Sequence, residues 1–121
     1  MNNTEIVFNI IKKSNQPLTA YAILELFKKK KIVQPMTVYR ALNELMNKGE
    51  IHKSNQNKTF LLCNHSHAKE HNPSIAICKK CGDTEELESN LFNNFLKKYN
   101  IKKFDFKKFQ VEVSTICSNC N

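Results

Sequence analysis

The chain has 121 residues, 40% of them apolar, and a formal net charge of +8, enough for one domain or two small ones with cores of their own. No apolar stretch approaches the length of a membrane span, and the N-terminus lacks the basic region and apolar run of a signal peptide. The expected setting is therefore the cytoplasm, with the five cysteines reduced.

The charge is uneven. Residues 1–60 hold ten basic and four acidic side chains, hence +6, and residues 61–121 hold nine and seven, hence +2. A basic first half suits a polyanionic partner, and a general lysine bias is the other reading.

Thr4 is placed to cap a first helix carrying Ile6, Val7, Ile10 and Ile11 on one stripe. Asn15-Gln16-Pro17 ends it. Thr19 caps a second helix, Ala20 to about Lys31, with Ile23, Leu24 and Phe27 inward. The lysines 28–31 fall in its last turn, where the negative end of the helix dipole favours them. A third helix follows Val33-Gln34-Pro35, with Thr37 near its start and Gly49 as its stop. Its apolar stripe is Val38, Leu42, Leu45 and Met46, which leaves Tyr39, Arg40 and Asn43 largely outside. Residues 50–53 and 59–62 flank a polar turn and predict a β-hairpin.

Three helices and a hairpin predict a winged helix over residues 1–62. Its third helix would enter the major groove of DNA, and its hairpin would touch backbone. Arg40 is the chain's single arginine. Its guanidinium suits bidentate contact with guanine or phosphate, and an ordinary surface arginine is the other reading.

In residues 63–121 the informative features are Cys78-Lys79-Lys80-Cys81 and Cys117-Ser118-Asn119-Cys120. Two Cys-x-x-Cys pairs supply the four thiolates of a tetrahedral zinc ion. A redox pair would stand alone, and two disulfides would need an oxidising compartment. The 35 residues between the pairs, 82 to 116, must hold a substructure. A helix is predicted from about Ser89 to Tyr99, with Leu91, Phe92, Phe95, Leu96 and Tyr99 on one face. A strand is predicted where Phe109, Val111 and Val113 alternate with Gln110, Glu112 and Ser114. No nucleophile and base stand together in the pattern of a thiol enzyme, so no enzyme activity is expected.

Leu18-Thr19-Ala20-Tyr21, Met36-Thr37-Val38-Tyr39-Arg40-Ala41-Leu42 and Gly49-Glu50-Ile51-His52-Lys53 resemble the DNA-binding half of the ferric uptake regulator family. The resemblance runs from about Glu5 to Cys120. It implies an α+β protein, an N-terminal winged helix followed by a small α/β zinc-binding dimerisation domain. It also implies a homodimer on palindromic operator DNA. Tyr39 and Arg40 would contact the DNA, with Thr37 in the same run and Tyr21 near phosphate.

The zinc uptake regulator branch senses metal through a His in the wing, a Cys after it, a His before the first Cys-x-x-Cys and a Glu after it. Those positions match His52, Cys63, His71 and Glu86. The resemblance thus implies two zinc ions per chain, one structural and one regulatory, and no other small-molecule ligand. Taken singly, these residues also have plain readings, a buried thiol for Cys63 and surface groups for the rest. Iron- and peroxide-sensing members usually carry a dense His cluster where this chain has Ala68-Lys69-Glu70-His71-Asn72, with His65 and His67 as spare candidates. A zinc-stabilised interaction module without DNA binding is the remaining alternative.

Overall fold

The computed structural model of the chain describes residues 2–63, 72–88, 92–98 and 102–121. The chain divides into two compact units, Met1–Asn64 and His65–Asn121.

The first unit holds helices α1 (Asn3–Lys13), α2 (Ala20–Lys28) and α3 (Pro35–Asn47) and strands β1 (Leu18–Thr19), β2 (Ile51–Ser54) and β3 (Thr59–Leu62). Its core is one apolar cluster. Ile6, Val7, Ile10 and Ile11 of α1 pack with Ile23 and Phe27 of α2, and with Val38, Ala41, Leu42 and Leu45 of α3. Ile51 and Phe60 join from the hairpin. The stripes follow the helical period; of the residues predicted on them Leu24 and Met46 are only partly buried against the core, and Ala41 is buried in addition.

The ends of the helices differ in instructive ways. Asn2, not Thr4, caps α1, its side chain accepting from the Glu5 backbone N–H. Thr4 lies inside the helix, and its hydroxyl donates instead to Glu44 on α3 at 2.5 Å. Thr19 caps α2 as expected, but the helix closes at Lys28, short of Lys31. Pro35 sits in the first turn of α3, where its missing N–H costs nothing. Gly49, at φ 77°, ends α3 in a Schellman motif: its N–H donates to Met46 O and that of Glu50 to Leu45 O, both at 3.0 Å.

The hairpin β2–β3 pairs His52 with Leu61 and Lys53 with Phe60, and β1 adds to the other side of β3. This three-stranded sheet completes a winged helix. The short β1 has no apolar period of its own; it exists because Leu18 and Thr19 lie against Phe60 and Thr59.

The second unit contains β4 (Ser74–Cys78), β5 (Thr84–Glu86), helix α4 (Asn93–Lys98) and β6 (Val111–Thr115). The strand order is β5-β4-β6, with β5 antiparallel and β6 parallel to β4. The strand predicted over 109–114 begins two residues later, at Val111, and runs to Thr115. The Asn72 carboxamide donates to Lys107 O and accepts from Phe109 N–H, so those backbone groups end a loop rather than begin a strand. The alternation in β6 does not become alternating burial either. From Val113 onward the strand is exposed, as suits the edge position it holds among the described residues. Of the residues predicted to share one helix face, Phe92 and Leu96 are half-buried and Phe95 is 55% exposed. Leu91 and Tyr99 lie outside the described residues.

Candidate metal centre and nucleic-acid interface

The two cysteine pairs are brought together by the parallel pairing of β4 with β6. Register sets Cys78 opposite Thr115, and the Lys79 N–H donates to Thr115 O at 2.8 Å. Both strands thus deliver their chains to the same end of the sheet, each running into a tight turn. Gly82, at φ 79°, releases the first turn, its N–H donating to Cys78 O. Cys78, Cys81, Cys117 and Cys120 present sulfurs that all lie within 4.8 Å of one another. The Cys81 and Cys117 sulfurs are 3.7 Å apart. Zinc–sulfur bonds near 2.3 Å in a tetrahedron set neighbouring sulfurs about 3.8 Å apart, so these residues fit zinc. None of the five cysteines forms a disulfide.

The protonation of the metal-free cluster follows from its crowding. The Cys117 and Cys81 backbone amides hold the Cys78 thiol down at about 6. Its neighbours are then left beside a thiolate. The Asp83 backbone pulls Cys81 down, but hydrogen bonding with Cys78 and Cys117, together with burial, outweighs it and pushes the thiol up. Cys120 is pushed up to about 12, first by its hydrogen bond with Cys117 and then by that with Cys81. At neutral pH, zinc must therefore displace protons from at least Cys81 and Cys120. Below about pH 6 Cys78 holds a proton as well, so affinity should fall more steeply there. Calorimetry in buffers of different ionisation enthalpy should find at least two protons released per zinc at pH 7, and more at pH 5. A release independent of pH would contradict the assignment.

The residues matched to a sensing site divide between the units. In the first unit, His52 lies on β2 and is 8% exposed, and half-buried Cys63 directly follows β3. Leu61 is the ladder partner of His52, and Cys63 stands two residues further along, so both side chains fall on one face of the sheet. Their ligand atoms lie within 4.8 Å of each other. In the second unit, Glu86 ends β5 opposite Ile75 and is 6% exposed, which removes the reading of an ordinary surface acid. His71, like His65 and His67, lies outside the described residues.

The candidate nucleic-acid face belongs to the first unit. Tyr21, in the first turn of α2, is 70% exposed. On α3, Tyr39 is 47% exposed, Arg40 is exposed and Thr37 is half-buried. The Arg40 guanidinium has no ion pair among the described residues. Tyr21 and Tyr39 line one open cavity of about 320 Å³ together with Asn43, Lys53 and Lys58. Lys58 belongs to none of the quoted motif runs, Lys53 closes the 49–53 run without a role assigned to it, and Asn43 is marked in the sequence only as lying off the apolar stripe. The signal for Lys53 is its register opposite Phe60, over whose ring its ammonium lies at 5.7 Å. The arrangement offers cationic and amide groups beside the exposed side of a helix, a surface suited to a duplex.

The family model of the ferric uptake regulator family matches residues 2–115. The zinc uptake regulation protein of Escherichia coli (strain K12) is 30% identical over 81 residues, 66% of this chain and 47% of that protein. The match thus spans about half the length of that relative. Among solved structures, a zinc uptake regulator complexed with zinc and DNA has a TM-score of 0.88 at 24% identity, over 99% of this chain and 81% of that chain. The holo form of XcZur has a TM-score of 0.84 at 28% identity, over 99% and 84%. Among the described residues no helix is long and apolar enough to cross a membrane. With the winged helix, the cysteine cluster and these likenesses together, the chain belongs to the ferric uptake regulator family, whose members are regulators of transcription and not enzymes.

Proposed function

We propose that the chain is a zinc-responsive repressor, a cytoplasmic homodimer that binds palindromic operator DNA when zinc is bound. Each chain would hold two zinc ions. One, in the cysteine cluster, would be structural. The other would be regulatory and held by His52, Cys63, His71 and Glu86.

The observation that carries this reading is the pairing of His52 and Cys63 on one face of the wing sheet, with ligand atoms within 4.8 Å. An imidazole and a thiolate are donors that zinc accepts and harder cations do not favour. They sit on the hairpin of a winged helix, so a metal held there acts on the element that meets DNA. The likeness to a zinc uptake regulator complexed with zinc and DNA, and the match to the zinc uptake regulation protein of Escherichia coli, support the same reading. The test is a gel shift on candidate operators in buffered zinc, iron(II) and manganese(II). Binding that responds to zinc first supports the proposal, and a response to iron alone overturns it.

Operator recognition would rest on Tyr39 and Arg40. The guanidinium is exposed and has no ion pair among the described residues, so Arg40→Ala should weaken operator binding by about 1–3 kcal/mol. Equal affinity of Arg40→Ala and the unaltered chain in a titration would overturn the assignment of α3 as the recognition helix.

A further inference from the structure

We propose that Asn43 is a further specificity-determining residue, reading an adenine of the operator one helical turn beyond Arg40. The inference deepens the reading of α3 as the recognition helix and rests on it.

Three observations carry it. The first is position. The buried residues of α3 are Val38, Ala41, Leu42 and Leu45. Asn43 is exposed, three residues after Arg40 and four after Tyr39, spacings that set side chains next to one another on a helix. The second is the common cavity. Asn43 lines it with Tyr39 of α3, Tyr21 of α2 and the wing lysines Lys53 and Lys58, so the carboxamide is on the side of α3 next to those groups.

The third is the state of its hydrogen-bonding groups. Among the described residues the Asn43 side chain has no hydrogen-bond partner. Its neighbour Glu44 is different. Glu44 accepts from Thr4 of α1 and pairs with Lys48 at 3.4 Å. Those contacts tie the carboxylate to the protein, and its charge would repel phosphate. Beyond Arg40, Asn43 is thus the side chain with both a donor and an acceptor disengaged on the cavity side. A carboxamide in a major groove makes a paired contact with adenine, donating to N7 and accepting from the N6 amino group. An asparagine placed against phosphate would only donate, and would carry no sequence information.

The experiment selects bound sequences from a pool of randomised duplexes, using the full zinc-loaded chain and its Asn43→Ala and Asn43→Asp variants. The unaltered chain should select adenine at one position of each half-site. Asn43→Ala should lose that preference while keeping the others, and should bind the selected site about 5- to 150-fold less tightly. Asn43→Asp, which can only accept, should move the preference at that position towards cytosine. Variants that select the same sequences as the unaltered chain overturn the role of Asn43 and leave the proposed function standing. A uniform loss of affinity with unchanged preference also overturns it, because that is the mark of a phosphate contact. If the unaltered chain selects no sequence at all, this inference and the proposed function fall together.

Discussion

Cys120→Ser should abolish the proposed homodimer and unfold much of the second unit. Among the described residues the buried apolar side chains of that unit are Ile75, Ile77 and Cys78. Fully burying an isoleucine contributes roughly 1.5–3 kcal/mol, so the two isoleucines supply only a few kcal/mol against the entropy of ordering a sheet and a helix. A structural zinc contributes about 10 kcal/mol or more. Among the described residues of this unit, the metal term of the proposed zinc would therefore be the larger one. The first unit differs, since its helices and hairpin share one continuous apolar cluster. Thermal unfolding should show two separable transitions in Cys120→Ser, with that of the winged helix retained. Sedimentation should report a monomer. Removing zinc with a strong chelator should reproduce both effects. A Cys120→Ser protein that stays dimeric with unchanged thermal stability would remove the structural role of the cluster.

Cys63→Ser should leave the dimer and the structural zinc intact and lose the dependence of operator binding on zinc. A single ion held by His52 and Cys63 of the first unit and by His71 and Glu86 of the second would bind one arrangement of the chain better than others. That differential affinity is what a ligand needs to shift a population. Coupling of this type amounts to about 1–3 kcal/mol, so zinc should raise operator affinity roughly 5- to 150-fold. Linkage requires operator DNA to tighten zinc binding at the same site by the same factor. The measurement is operator affinity of Cys63→Ser across a series of buffered zinc concentrations. A response equal to that of the unaltered chain would make Cys63 a buried thiol only, and would move the sensor to His65, His67 or Glu70.

Much of the architecture is local chemistry, and local chemistry is legible in a sequence. The apolar stripes of α1, α2 and α3 repeat at the helical period, and most residues on them are in the core, with Leu24 and Met46 packed partly buried against it and Ala41 added to it. Gly49 marks the end of α3 because only a residue at ease with positive φ closes a Schellman motif without strain. The hairpin follows from two short strand-length runs, 50–53 and 59–62, around a polar turn. Two Cys-x-x-Cys pairs announce a tetrahedral thiolate site because each spacer is a tight turn that aims both sulfurs at one point.

Tertiary structure alone decided what depends on partners distant in the chain. Thr4 looks like a cap, but Glu44, forty residues away, offers its hydroxyl a carboxylate, and Asn2 takes the cap. β1 is a strand only because β3 lies beside it. The start of β6 is set by Asn72, whose side chain binds the backbone at Lys107 and Phe109. Glu86 reads as a surface acid until β5 pairs with β4 and buries it. Asn43 reads as the polar side of a helix until α2 and the wing bring Tyr21, Lys53 and Lys58 to the same cavity. In each case the deciding contact spans many residues. Its entropy is met by the fold as a whole, so no local window of the sequence contains it.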